Sequence, residues 1–93
     1  MEKFMINDVP VSADTIEFNG VSIMLIKSGK GALGCAYLNL AAADKFGHAL
    51  AIVSGVKNYE DMLAAEVKSV SAAAAGMGVM PGMSGKEALL KMS

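Results

Sequence analysis

The sequence contains no arginine and no tryptophan, and it has one cysteine, two prolines and five aromatic residues in 93. Each scarcity excludes something. A single cysteine permits no intrachain disulfide framework and no cysteine-rich zinc site. Without arginine the chain lacks the planar fork that reads guanine and grips phosphate bidentately. Its eight lysines are scattered along the chain, and the formal net charge is −1. Nothing in that balance favours nucleic acid or an acidic membrane surface. Long apolar runs are missing as well. The longest uncharged stretch, residues 69–85, contains AAAAGMGVMPGM over residues 72–83 and is broken by glycine and proline, whereas a membrane span needs about 20 apolar residues. The start, MEKFMINDVP, has no apolar core of signal-peptide length. The expectation is a cytoplasmic protein with no membrane contact.

What is present is apolar. Hydrophobic residues make up 54% and charged residues 18%, the reverse of a disordered chain. A length of 93 residues suits one domain, here taken as 1–93, with a thin core.

Asn19-Gly20 is the sharpest local signal, because both residues tolerate the positive φ of a two-residue hairpin turn. The register it sets pairs Phe18 with Val21 and Ile16 with Ile23. Before it, Phe4–Ile6 suits a short strand. Pro10 argues against a central strand around Val9–Val11. After it, Val21, Ile23 and Leu25 alternate with Met24 and Ile26, so both faces of that strand are apolar and both need cover. We expect the helices to cover the first set. Met24 and Ile26 are then left for a partner subunit.

Lys27–Gly31 reads as a turn and Ala32–Leu38 as a strand, with small residues (Ala32, Gly34, Ala36) on one side. A short helix over Ala41–Phe46 is closed by Gly47, and Ala49–Ser54 is an interior strand. Asn58 caps a helix whose first turn carries Glu60 and Asp61. Its apolar stripe either runs on to Ala75 or breaks near Ala65 and restarts. Val79-Met80 suits a short strand. Ser84 and Glu87 form a capping box for a last helix, Gly85–Lys91, that turns Ala88, Leu89 and Met92 inward. The class is α/β (α+β): two layers, a mixed sheet of four to five strands and about three helices.

Cys35, Tyr37 and His48 are the candidate binding residues. A cysteine beside an imidazole can be a nucleophile, but a lone buried cysteine is ordinarily a small core residue. The pair lacks the further ligands of a metal site. Gly85-Lys86 fails as a phosphate loop, since Met80 and Glu87 stand where glycine and Ser/Thr belong. Adjacent acids such as Glu60-Asp61 point apart on a helix. No catalytic, cofactor or metal residue is assigned.

Several pieces taken together resemble a known family. They are Gly31–Leu38, Gly55-Val56-Lys57 with Glu60-Asp61-Met62-Leu63, Val67 with Ser71, and Gly82-Met83-Ser84-Gly85 with Glu87-Ala88-Leu89. In this order the chain is similar to the YunC-like family, small bacterial and archaeal proteins of unknown function. It departs at Ala36, where a glycine is expected after the cysteine. The resemblance implies an α/β fold and an N-terminal β region, about residues 1–38, used in tetramer assembly. It implies no activity. The reading is an oligomeric assembly or binding module without catalysis, partnered with itself as a tetramer. The alternative is a small-molecule enzyme or binder with a site at a subunit boundary using Cys35, Tyr37 or His48.

Overall fold

A computed structural model describes residues 2–93; residue 1 of the expected domain lies outside them. Six strands form one mixed sheet in chain order: β1 (Glu2–Ile6), β2 (Val9–Phe18), β3 (Val21–Lys27), β4 (Gly31–Cys35), β5 (Ala49–Val53) and β6 (Ser69–Val70). Four helices accompany them: α1 (Leu40–Phe46), α2 (Tyr59–Ala64), α3 (Ala72–Gly76) and α4 (Gly85–Lys91). The class is the expected one, with one or two more strands and one more helix.

The Asn19-Gly20 turn forms as its residues dictate. Both have positive φ, 48° and 78°, and Phe18 pairs with Val21, Ile16 with Ile23. A second turn of the same kind sits at Asn7-Asp8, with φ 48° and 68°. It joins β1 to β2 with Ile6 opposite Val9. Pro10 lies inside β2, and over Val9–Val11 that strand pairs with β1 alone, so no central strand runs through the proline, as expected. Pairs alternate between those that exchange hydrogen bonds and those that do not. Ile6–Val9 closes the turn, so the next residue, Pro10, faces away from β1. On that side β3 reaches only as far as Ser12, so the N–H that proline lacks would have met no partner.

β1 to β4 are antiparallel, β4 and β5 are parallel, and β5 and β6 are antiparallel. A parallel pair needs a crossover, and α1 supplies it. Asn39 caps α1 by accepting from the Ala42 N–H, and Gly47, at φ 72°, ends it. β5 is buried along its whole length, as a strand covered on both faces must be.

The main core lies on the face carrying Ile6, Val11, Ala13, Met24, Ile26, Leu33, Ala51 and Val53, against Met62 of α2 and Ala88, Leu89 and Met92 at the last helix. Met24 and Ile26 are 3% and 0% exposed. The expectation that they face a partner is therefore corrected: the two faces of β3 are exchanged. Ala13 pairs with Ile26, Val11 shares its side of β2, and the chain's own helices cover that face. The opposite face is covered only over β4 and β5, where Ala43 of α1 meets Leu50 and Ile52, with Leu25, Leu38 and Leu40 around them.

The stretch after Asn58 breaks at Ala65. Asn58 accepts from the Asp61 N–H, α2 ends at Ala64, and β6 then pairs with β5 before Ser71 caps α3. Ser71 is buried because its hydroxyl is fully used, accepting from Leu50 N–H and donating to the His48 carbonyl. Val79-Met80 is not a strand; Val79 is buried in the core instead. The N-cap half of the expected box forms, Ser84 Oγ accepting from Glu87 N–H at 3.1 Å, while the Glu87 carboxylate accepts from the Ser84 hydroxyl at 3.3 Å in place of its backbone N–H. Ala88, Leu89 and Met92 point inward, each 0% exposed.

Candidate functional site

β4 and β5 end side by side, Cys35 level with Val53. The chain leaves β4 through Ala36-Tyr37 and β5 through Ser54–Lys57. β3 pairs with β4 only over Leu25–Lys27, so its other half and the Gly20 turn project past the end of β4. The angle between the projecting hairpin and the two strand ends is an open pocket of about 390 Å³, lined by Gly20–Ser22, Cys35–Tyr37 and Ser54–Lys57. In open α/β sheets ligands are bound outside the carboxyl ends of the parallel strands, and β4 and β5 are the one parallel pair of this sheet.

The pocket brings Cys35 and Tyr37 together as lining residues and leaves His48 out. His48 precedes β5 and lies level with the start of β4, since Ala49 pairs with Gly31. Cys35 is level with a residue five positions further along, about 16 Å away at the rise of a strand. The pairing of thiol and imidazole is therefore not made. His48 packs instead near Phe46, ring centres 6.2 Å apart. Cys35 is buried at 6% exposure, while Tyr37 is 64% exposed. Among the described residues no three of His, Cys, Asp and Glu come together as a metal site, and no helix is long and apolar enough to cross a membrane.

Ser22, Ser54 and Lys57 complete the polar lining and were not singled out from the sequence. The available signal was the segment Ser54-Gly55 directly after an interior strand. Gly55 has φ 70°, a turn conformation natural to glycine. Two larger hollows of about 600 and 570 Å³ run beside β1. Neither holds Cys35, Tyr37 or His48.

A second feature adjoins the pocket. On the face of β2 and β3 away from the core, Ile16 and Phe18 are 64% and 63% exposed, next to the half-buried Val21 and Ile23. Met5 of β1 lies on the same face, 59% exposed. Among the described residues no helix covers these strands on this side.

Sheet, crossover and strand-end pocket define a small α+β domain with one open apolar sheet face. The chain belongs to the family described as "Domain of unknown function (DUF1805)", whose model matches residues 34–92. It is 34% identical to the uncharacterized protein YunC of Bacillus subtilis (strain 168) over 92 residues, 95% of this chain and 91% of that protein. It also resembles the crystal structure of a protein of unknown function, TA1206 from Thermoplasma acidophilum, with TM-score 0.76 and 30% identity. That match covers 89% of this chain and 93% of the other. The family resemblance read from Gly31–Leu38 and Gly55–Lys57 is thereby established, and those two stretches are the ones that meet at the pocket.

Proposed function

We propose that the protein is a self-assembling module whose contact surface is the open face of β1–β3, and that its role is assembly or binding rather than catalysis. One observation carries this reading: Ile16 and Phe18 stand nearly two-thirds exposed beside Val21 and Ile23, an apolar strip on a sheet with no helix over it among the described residues. Contiguous apolar surface of this kind marks interaction sites on soluble proteins. Flat, twisted sheet faces pack on one another at about 10 Å, their side chains interdigitating. Lys27 and Asp14 border the strip, 3.5 Å apart, and the apolar residues run from there to the turn. The N-terminal β region is thus the assembling part, as the family resemblance implies, but through the face opposite to Met24 and Ile26. A homotetramer is the preferred state.

The test is the mass of the native protein by light scattering coupled to size exclusion. The wild type is expected as an oligomer at micromolar concentration. Ile16→Lys with Phe18→Glu is expected to yield a folded, smaller species. A wild-type mass of one chain defeats the proposal, and so does a folded double mutant with unchanged mass.

A further inference from the structure

The pocket at the ends of β4 and β5 has an uneven chemistry. Its lining includes three hydroxyls, Ser22, Tyr37 and Ser54, and one lysine, Lys57, and no carboxylate. Three acids stand around it: Glu17 lies opposite Ser22 across the β2–β3 pair, and Asp61 and Glu60 follow Lys57 in α2. Asp61 accepts from the Lys57 backbone N–H, and Glu60 lines the separate hollow beside β1. The Lys57 ammonium makes no ion pair among the described residues. The backbone N–H groups of Tyr37, Gly55 and Val56 donate to no acceptor among the described residues. The lining side chains thus comprise three hydroxyls and one lysine, and the one formal charge among them is positive. Its remaining wall is apolar: Val21, Val56 and the edge of Cys35.

We propose that this pocket binds a small molecule carrying a single carboxylate or phosphoryl group, with the oxyanion held by Lys57 and the hydroxyls of Tyr37 and Ser54. The apolar wall takes the ligand's hydrocarbon part. A pocket of about 390 Å³ lies at the small end of ligand cavities, so the ligand is a metabolite-sized anion rather than a dinucleotide. A lysine is a mobile point charge that accepts either oxyanion, and the absence of arginine fits a site without bidentate geometry. Cys35 forms part of the wall and no bond to the ligand. This inference does not rest on self-assembly, which is measured separately as mass.

The experiment is a two-dimensional ¹⁵N–¹H titration of the full chain with sodium phosphate and, separately, sodium acetate, at constant ionic strength. Saturable shifts at Tyr37, Ser54, Gly55 and Lys57 are expected with at least one of them. Phosphate alone assigns a phosphoryl ligand, acetate alone a carboxylate, and both a site for either oxyanion. Lys57→Gln is expected to weaken binding about tenfold, the scale of one charged hydrogen bond, and Lys57→Arg to restore most of it. Lys30→Gln, beside His48 at the opposite end of the strands, is expected to leave affinity unchanged. Shifts that fail to saturate overturn the proposal. It is equally overturned by shifts centred on Lys30 and His48, or by a folded Lys57→Gln that binds as the wild type does.

Discussion

Replacing Gly85 by alanine tests how the last helix is seated on the sheet. Gly85 opens α4 directly after its cap. A Cβ added there would lie 2.1 Å from the Met62 carbonyl oxygen and 2.7 Å from Leu33 Cδ2. An ordinary carbon–oxygen contact is about 3.3 Å, so the helix start must retreat from α2 by roughly 1 Å. The obstacle is backbone, so a side-chain rotation cannot relieve it. Retreat also stretches the 2.9 Å bond from Gly85 N–H to the Ala65 carbonyl. Overpacking costs about 1–3 kcal/mol and a weakened hydrogen bond about 1 kcal/mol. The alanine's helical preference returns less than about 1 kcal/mol at a first-turn position. The net loss is about 2–3 kcal/mol, or roughly 10–20 °C in Tm for a domain of this size. Urea melts followed by far-ultraviolet circular dichroism, at one fixed protein concentration, measure it. A midpoint within error of wild type, or a stabilised variant, would falsify the close approach of α2 and α4.

Other consequences are simpler to check. Ser84→Ala removes the acceptor for Glu87 N–H and is expected to cost about 1 kcal/mol in the same melts; an unchanged midpoint contradicts the N-cap. Met24→Lys or Ile26→Lys places a charge in the main core and should abolish the cooperative transition; a well-dispersed NMR spectrum from either variant refutes the face assignment. Asn19→Val forces a β-branched residue to φ 48° and is expected to destabilise by about 1–2 kcal/mol, a loss that Asn19→Gly should largely avoid. The Cys35 thiol, 6% exposed, should react with an aromatic disulfide reagent far more slowly in the native protein than in urea. Equal rates would show that it is not part of the buried wall.

Local chemistry made much of the fold legible, and long-range packing accounts for the rest. The turn at Asn19-Gly20, the caps at Asn58 and Ser84, and the stop at Gly47 each follow from one residue's own backbone or side-chain preference. The choice between the two faces of β3 does not. Met24/Ile26 and Val21/Ile23/Leu25 are equally apolar, and only the docking of α2 and α4 separates them. A clue lay in β2, where Val11 and Ala13 share the Met24–Ile26 face and the other face carries Ser12 and Asp14. The Asn7-Asp8 turn went unread because Pro10 argues against a strand unless the end of β3 is known. Cys35 and Tyr37 were legible as chemistry, but Lys57 and Ser54 join them only through the parallel pairing of β4 with β5. The same pairing sets His48 at the far end.

Every strand in the sheet neighbours the strand before it in sequence. During synthesis each new strand therefore meets a template already made, and the sheet can extend one edge at a time. The helix that seals the main core is made after all six strands. Until α4 emerges, the surface of Leu33 and Gly31 that it will occupy has no lid, even though the hydrogen-bonded ladder is complete. A nascent chain of this protein passes through a stage of finished pairing and unfinished burial, and that interval is when it would be most open to a chaperone or to misassociation with another chain.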